Sequence, residues 1–259
     1  MRFILLLLLS LELHAAPQLI AHRGASEAAP ENTMAAFRLA WKEGADGIEG
    51  DFLLTKDKQV VCFHDKDTKR ITGKKLQISQ STWATLKELD VGSWKGVQFK
   101  GERMPLLGDV LAELPENKFF FVEIKSGPEI VPFIKPIVAG ADSKRVIFIS
   151  FDAKVVKLCR EEMPDFQAHF LSTLEHIHKP GEVGKQLAQL MQINATGLQF
   201  KHTAKVNHDF LATLRERNLL TACWTVNDPK TAARVAGLGI DFITTDRPAA
   251  LRQETKWPD

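Results

Sequence analysis

The sequence has almost no excess charge of either sign. Its 259 residues include 34 Lys and Arg against 32 Asp and Glu, which leaves a formal net charge of +2. A basic stripe interleaved with aromatic residues is the usual mark of a nucleic-acid partner, and none runs along this chain. The composition therefore gives no reason to expect nucleic-acid binding.

Cysteine is scarce, with only Cys62, Cys159 and Cys223 in the whole chain. Their spacing does not match that of a zinc site. Exported proteins tend to pair their thiols, but each of these cysteines has apolar neighbours, as in VVCFH and TACWTV. We therefore expect three small, buried side chains rather than disulfides.

Two other signals are missing. No G-x-G-x-x-G motif follows the first strand-like run, so dinucleotide binding has no support. The chain also has no clear linker and no internal repeat beyond an alternation of strands and helices. Its content of 44% hydrophobic and 25% charged residues is ordinary for a soluble globular protein. We predict one globular domain.

The N-terminus has the pattern of a secretory signal. The apolar run Phe3–Leu13 follows a basic start at Arg2 and precedes two alanines, which predicts a signal peptide over residues 1–16 and a mature domain over 17–259. The run is about half of the roughly 20 residues that span a bilayer. The alternatives are an uncleaved anchor or an ordinary first helix. We predict export to the periplasm or medium, without stable membrane insertion afterwards.

Apolar strand-like runs alternate with amphipathic segments through the rest of the chain. The strand candidates are 18–22, 47–55, 59–64, 118–124, 145–150, 167–172, 195–200, 220–226 and 239–245. The helix candidates are 32–43, 106–114, 128–139, 152–162, 182–192, 207–217, 228–237 and 247–254. If 59–64 extends the strand before it, eight β/α units remain, which predicts an α/β fold of the (β/α)8 TIM-barrel type. An open, doubly wound sheet is the alternative.

Residues 65–105 interrupt this alternation. The segment is polar, rich in Gly, Lys and Ser, and too long for a plain connection between a strand and a helix. We predict a small insertion after the second strand, with a short helix at 80–89. Elsewhere, helix starts are indicated by four candidate capping residues, Asn32, Asp152, Asn207 and Asp228.

Chemistry in a β/α barrel lies at the C-terminal ends of the strands. These ends carry His22, Arg23, Glu49, Asp51, His64, Asp65, Glu123, Lys125, Trp224, Asn227 and Asp246. Glu49 and Asp51 are two residues apart, so both carboxylates point to one side of their strand. Like charges in a small space are costly unless a cation lies between them. With Glu123 they predict a site for one divalent cation, Ca²⁺ or Mg²⁺ rather than zinc.

The same strand ends carry groups suited to a phosphodiester. His22 and His64 can serve as general base and general acid, the usual roles of histidine in catalysis. Arg23 and Lys125 add positive charge where a phosphate would lie. A simpler interpretation of single residues remains open, since Lys125 could merely form an ion pair with Glu123.

At this point the motifs resemble a known family. The stretches AHRGASEAAPENTMAAF, GADGIEGDFLLTKDKQVVCFHD, VEIK, WTVND and TTDRP are similar to those of glycerophosphodiester phosphodiesterases, from about residue 18 to residue 250. The resemblance implies a TIM barrel with an insertion beside the active site. Residue by residue, it implies metal binding by Glu49, Asp51 and Glu123, acid–base catalysis by His22 and His64, and substrate contacts by Arg23, Lys125 and Trp224.

The implied reaction is hydrolysis of deacylated phospholipids, such as glycerophosphocholine or glycerophosphoethanolamine, to sn-glycerol 3-phosphate and an alcohol. In the implied mechanism the glycerol 2-hydroxyl attacks the phosphorus, and water opens the resulting cyclic phosphate. The expected partner is thus a small phosphodiester; the sequence indicates no oligomeric state. Gly50 departs from the larger apolar residue usual in the family, and we expect looser packing around it.

Two other functions remain open. A lysophospholipase D or sphingomyelinase D-like enzyme would need an apolar lip for an acyl chain, which Trp83, Trp94 and Phe99 of the insertion could provide. A non-catalytic exported barrel that binds glycerophosphodiesters would be expected to lack a histidine or a carboxylate of the set. None of these residues is missing.

Overall fold

The computed structural model describes residues 16–257. Apart from Ala16, the predicted signal peptide lies outside the described residues. The strands are β1 (Gln18–Ala21), β2 (Gly47–Leu54), β3 (Val60–Cys62), β4 (Phe119–Ile124), β5 (Val146–Ser150), β6 (Gln167–Ser172), β7 (Gly197–Lys201), β8 (Leu220–Trp224) and β9 (Phe242–Thr245). The helices are α1 (Met34–Lys42), α2 (Lys69–Thr72), α3 (Trp83–Leu86), α4 (Leu107–Glu113), α5 (Val131–Val138), α6 (Ala153–Glu162), α7 (Glu182–Gln192), α8 (His208–Arg215), α9 (Pro229–Ala236) and α10 (Pro248–Thr255).

Eight of these strands form a closed parallel barrel. Each pairs in parallel with its neighbours, and β1 joins both β2 and β9, so the sheet has no open edge at that point. Helices pack around the outside, and between residues 16 and 257 none has the length and apolar character that crossing a bilayer requires. The predicted (β/α)8 barrel is confirmed, and the open doubly wound sheet is excluded.

We had expected the segment 59–64 to extend the second strand, and this expectation is wrong. Instead β3 turns back and pairs antiparallel with the last residues of β2, outside the barrel. A tight turn explains the reversal: Thr55 Oγ1 donates to Asp57 and Lys58 adopts a left-handed backbone with φ of 66°. The hairpin carries the chain away from the barrel before the insertion begins.

The insertion has a small hydrophobic core of its own. Ile71, Ile78 and Leu86 pack there against residues of the β2–β3 hairpin, and Trp83 lies partly buried against them. The helix expected at 80–89 is shorter and comprises only α3. Beyond it the carboxylate of Asp90 accepts from three backbone amides, those of Gly92, Ser93 and Gly101, which holds the chain in a loop.

The barrel interior is filled by alternate residues of its strands. Ile20, Phe121, Ile147 and Phe242 form its lower layers, all nearly or fully buried. The larger core lies between the strands and the helices. Because the lower interior is packed with side chains, polar groups can meet only at the upper end, where the strands terminate.

The predicted helix caps are confirmed except at α1. Asp152, Asn207 and Asp228 each accept a hydrogen bond from a backbone amide of the helix they precede. For α1 the cap is Thr33, whose side chain accepts from the amide of Ala36. The predicted cap Asn32 is therefore wrong: its backbone is left-handed, with φ of 58°, and its side chain points elsewhere.

Two expectations about packing differ in outcome. All three cysteines are buried and unpaired, as predicted. The expected looseness around Gly50 is wrong. A Cβ placed there would lie 3.1 Å from Phe37 Cζ and 3.3 Å from Cys62 Sγ, and both neighbours are fully buried. The ring of Phe37 fills the space that a larger residue would take.

A candidate active site at the C-terminal mouth of the barrel

A cavity of about 270 Å³ opens at the C-terminal ends of the barrel strands. Its lining includes every residue predicted for the site except Asp51, namely His22, Arg23, Glu49, His64, Glu123, Lys125 and Trp224. Asp51 is 1% exposed and lies beside the cavity, in contact with Arg23 and Lys125. The eight predicted residues are thus brought together from five strand ends.

Three carboxylates converge on one side of this cavity. Glu49 and Asp51 lie on β2, and Asp51 is in register with Glu123 on β4. Each offers an oxygen, and these oxygens lie within 4.8 Å of one another. Burial and the negative charge of Asp51 raise the pKa values of Glu49 and Glu123 to about 8 and about 7. Burial acts in the same direction on Asp51, but the charges of Arg23 and Lys125 outweigh it and lower its pKa.

The carboxylates fit a divalent cation. Lys125 Nζ lies 3.1 Å from Glu123 Oε1 and 3.5 Å from Asp51 Oδ1, so the ion pair considered from the sequence is present. It does not complete the cluster, because Glu49 Oε1 is buried without a hydrogen-bond partner. Oxygen donors alone are the preferred ligands of Mg²⁺ and Ca²⁺. The three carboxylates could therefore hold such an ion.

His22 is held by a carboxylate from the last strand end. Its Nδ1 lies 2.7 Å from Asp246 Oδ1, and Asp246 also accepts from Ser26 Oγ and Asn227 Nδ2. Burial would lower the pKa of His22, but the bond to Asp246 and the charge of Glu49 outweigh burial and raise it. Burial likewise opposes ionisation of Asp246, yet its hydrogen bonds lower the pKa to about 2. With Nδ1 engaged, Nε2 is the ring nitrogen left for the cavity, 4.0 Å from Glu49 Oε2.

His64 has a similar arrangement. Its Nδ1 lies 2.6 Å from Oδ1 of Asp65, and Asp65 Oδ2 accepts from Arg70 Nε at 2.6 Å. His64 follows β3 rather than a barrel strand, so the hairpin brings it over the mouth. Both histidines therefore present Nε2 to the same cavity while a carboxylate holds Nδ1.

Arg23 is fixed at the edge of the carboxylate cluster. Its backbone is left-handed, with φ of 56°, which directs the amide N–H to Glu49 Oε2 at 2.9 Å. The guanidinium donates through Nη1 to Glu31, and Nε lies 3.2 Å from Asp51 Oδ2. The main chain and side chain of one residue thus contact both the carboxylate cluster and the rim of the cavity.

The far wall of the cavity is apolar. Ile149, Leu171, Phe151 and Trp224 line it, and the rings of Phe151 and Trp224 meet edge to face with centroids 5.6 Å apart. The position of Trp224 agrees with its expected place at the mouth. One half of the cavity is therefore charged and the other half is apolar, which suits an anionic group attached to a short carbon skeleton.

Comparison with known proteins identifies the family of this chain. Residues 22–250 match the glycerophosphoryl diester phosphodiesterase family. The chain belongs to this family. Its membership confirms the resemblance inferred from the motifs and the predicted enzyme class, a phosphoric diester hydrolase.

Individual members of the phosphodiesterase family are similar to this chain along most of its length. The YhdW protein of Bacillus subtilis is 35% identical over 242 residues, which are 92% of this chain and 98% of that protein. The glycerophosphodiester phosphodiesterase of Caldanaerobacter subterraneus is 32% identical over 90% of this chain and 95% of its own length. The fold matches a phosphodiesterase of Oleispira antarctica, solved with the product sn-glycerol-3-phosphate, with a TM-score of 0.83 at 24% identity, over 93% and 97% of the two chains.

Sequence reasoning missed several residues of this phosphodiesterase site. Asn32 binds Asp51 twice: Nδ2 donates to Oδ2 at 2.8 Å, and the Asp51 amide donates back to Asn32 Oδ1 at 3.1 Å. Its place within the PENT motif was a usable signal that we assigned to helix capping. Glu31 and Arg70 were also missed, and for Arg70 nothing in the insertion sequence marked it out.

His169 lies below the cavity and outside its lining. It is fully buried, and its Nδ1 and Nε2 lie within hydrogen-bonding distance of Gln199 and Gln167. Burial lowers its pKa to about 3, so it is neutral under ordinary conditions. Gly197 leaves room for this ring, since a Cβ there would come within 2.5 Å of it. This position indicates a structural role for His169.

Proposed function

We propose that this chain hydrolyses glycerophosphodiesters to sn-glycerol 3-phosphate and an alcohol at the mouth of the barrel, with one Mg²⁺ or Ca²⁺ ion held by Glu49, Asp51 and Glu123. The observation that carries the proposal is that two histidines, each held at Nδ1 by a carboxylate, share one cavity with three clustered acidic side chains. That combination suits a phosphodiester better than a neutral substrate.

Binding of the phosphate falls to the cationic residues. Arg23 offers planar donors and Lys125 a point charge, and both line the cavity. A divalent cation, when bound, would neutralise charge that develops on the phosphoryl oxygens. Lys125 and Arg23 already contact Asp51, so they keep their positions before substrate enters and lose little freedom on binding.

The histidines then move the protons. One Nε2 accepts the proton of the glycerol 2-hydroxyl as that oxygen attacks phosphorus, and the other donates a proton to the alcohol oxygen as its bond to phosphorus breaks. The product of this step is a cyclic phosphate. Water then attacks it, the bond from phosphorus to the 2-oxygen breaks, and the histidines return to their initial states. Each general acid or base typically contributes about 10²–10⁴-fold.

Attack by a neighbouring hydroxyl is physically favourable because nucleophile and phosphorus are in one molecule. The apolar wall formed by Phe151 and Trp224 would support the glycerol carbons on the side away from the carboxylates. The Caldanaerobacter relative is named for the same activity, and sn-glycerol-3-phosphate is named as product in the Oleispira structure. Both support the same product for this chain.

We further propose that the enzyme acts after export. The support is the basic and apolar pattern of residues 1–16. A fusion of residues 1–16 to a reporter active only after export tests this directly; a reporter retained in the cytoplasm would contradict it.

The aromatic residues of the insertion do not favour the lipid-directed alternative. Trp83 packs on the insertion core and Phe99 does not line the cavity. Trp94 lies in a neighbouring depression that His22 and Arg23 also line, so the three aromatics form no continuous apolar lip. The test is a panel of glycerophosphocholine, glycerophosphoethanolamine, lysophosphatidylcholine and sphingomyelin, with Mg²⁺, Ca²⁺ or EDTA. We expect metal-dependent release of glycerol 3-phosphate from the first two. Faster turnover of either lipid, or activity indifferent to EDTA, would contradict the proposal.

A further inference from the structure

Arg70 of the insertion makes contacts that are unusual for a surface arginine. It lies on α2 and is half-exposed, yet three of its nitrogens are engaged. Nε donates to Asp65 Oδ2 at 2.6 Å, Nη1 to Glu31 Oε2 at 3.0 Å and Nη2 to Glu31 Oε1 at 2.8 Å. One planar guanidinium therefore joins two carboxylates from different parts of the chain.

Each of these carboxylates also holds a residue of the proposed site. Asp65 accepts from Arg70 with one oxygen and contacts His64 Nδ1 with the other, at 2.6 Å. Glu31 Oε1 accepts from Arg23 Nη1 at 3.0 Å. The contacts thus run without a break from His64 through Asp65, Arg70 and Glu31 to Arg23.

His64 needs such support more than the three carboxylates do. It lies after β3, beyond the parallel strand pairing that fixes Glu49, Asp51 and Glu123. A catalytic side chain on a connecting segment keeps its geometry only when neighbouring groups restrain it. The imidazole is restrained by Asp65, and Asp65 is itself restrained by Arg70.

We propose that Arg70 is a positioning residue: through Asp65 and Glu31 it sets the orientations of His64 and Arg23, and it does not itself contact substrate. This inference rests on the proposed roles of His64 and Arg23. It also assigns a task to the insertion, which brings α2 over the mouth of the barrel and supplies the guanidinium that connects the two sides.

The competing explanation is an ordinary surface ion pair, and it makes a different prediction. Half-exposed ion pairs contribute little to stability, so under either explanation Arg70→Met should leave the unfolding midpoint nearly unchanged. Under the positioning role, kcat for glycerophosphocholine with saturating Mg²⁺ or Ca²⁺ falls about 10- to 100-fold, because small misplacements of catalytic groups are costly. An unchanged kcat would overturn the proposal.

Two further variants sharpen the comparison. Arg70→Lys retains a positive charge but cannot engage both carboxylates with a planar fork, so we expect most of the loss to persist; full activity would overturn the bridging role. The matched control is Arg38→Met, which removes an arginine that also makes two hydrogen bonds to a glutamate, Glu113, far from the cavity. It should change neither kcat nor the unfolding midpoint.

A double-mutant cycle separates this inference from the proposed function. If Arg70 acts through His64, the fold-loss caused by Arg70→Met is several times smaller in a His64→Ala background than in the wild-type chain. An equal fold-loss in both backgrounds would overturn the positioning of His64 by Arg70 and leave the proposed function intact. Wild-type activity of His64→Ala by itself would instead contradict the proposed function, whatever Arg70 does.

Discussion

The imidazole of His22 is bound to Asp246, a residue 224 positions later in the sequence, with 2.7 Å between Nδ1 and Oδ1. The contact lies where the barrel closes, because β1 pairs with β9 and the two residues follow these strands. Closure of the barrel and orientation of His22 are therefore parts of one arrangement. Asn227 strengthens it by donating to the other oxygen of Asp246 at 2.6 Å.

Substitution of Asp246 by Asn should lower kcat by about 10²-fold, which is the lower range of what one acid–base residue contributes. The amide carries no charge to stabilise a protonated His22 and can present an N–H to Nδ1. Steady-state kinetics with glycerophosphocholine measure this. Asp228→Asn is the matched control, since Asp228 only caps α9 and Asn also caps well. Equal activity of the two variants would exclude a role for the His22–Asp246 contact.

Loss of the Asn32 amide should weaken metal binding about 10- to 100-fold, the range typical of groups that orient metal ligands. The variant Asn32→Gly suits the left-handed backbone, so strain does not complicate it. The control is Asn218→Gly at another left-handed position, with φ of 55°, exposed and far from the mouth. Calorimetric titration with Mg²⁺ and Ca²⁺ distinguishes them. Unchanged affinity in Asn32→Gly would show that Asp51 needs no such support.

Metal binding should release protons near neutral pH. The pKa values of about 8 for Glu49 and about 7 for Glu123, raised by burial and by Asp51, mean that these carboxyls are largely protonated at slightly acidic pH. Ligation requires the ionised forms, so apparent affinity falls as pH is lowered through this range. Calorimetry in buffers of different ionisation enthalpy counts the protons. A binding enthalpy independent of buffer would contradict the expectation.

His169 should make the protein less stable as acidity increases. Its pKa is about 3 when folded and near 6.5 when unfolded, so below about pH 6.5 only the unfolded chain takes up this proton. The contribution is complete above that pH and decreases by about 1.4 kcal/mol for each unit down towards pH 3. In His169→Asn this slope disappears, although the smaller side chain lowers stability at every pH. Denaturant unfolding from neutral pH to about pH 4 measures the difference between the two slopes.

The sequence predicted most of the barrel because its signals are local. Apolar runs such as KFFFVEI correspond to β4, and the caps Asp152, Asn207 and Asp228 start their helices as expected. It failed at residues 59–64, where an apolar run indicates a strand but not which strand it pairs with. The turn at Lys58 decides that, and a lysine gives no signal in the sequence of the left-handed backbone that it adopts there.

The site residues likewise divide into those that the sequence predicted and those that it did not. Residues at strand ends were found because parallel strands bring their ends together. Asn32 contacts Asp51, which is 19 positions away in the chain, and Arg70 contacts Asp65, which is 5 positions away. No periodic pattern in the sequence marks such contacts. The PENT motif contained Asn32, but without Asp51 in view a capping role fitted equally well. Arg70 needed the folded insertion to bring it over the mouth.

The most direct test of the account is hydrolysis of glycerophosphocholine by the full chain, with divalent metal supplied, in the variants His22→Ala and His64→Ala. Release of sn-glycerol 3-phosphate should fall by about 10²-fold or more in each, while calorimetry shows metal binding retained, because neither histidine belongs to the carboxylate cluster. Wild-type rates in both variants would contradict the assignment of acid–base chemistry to this mouth.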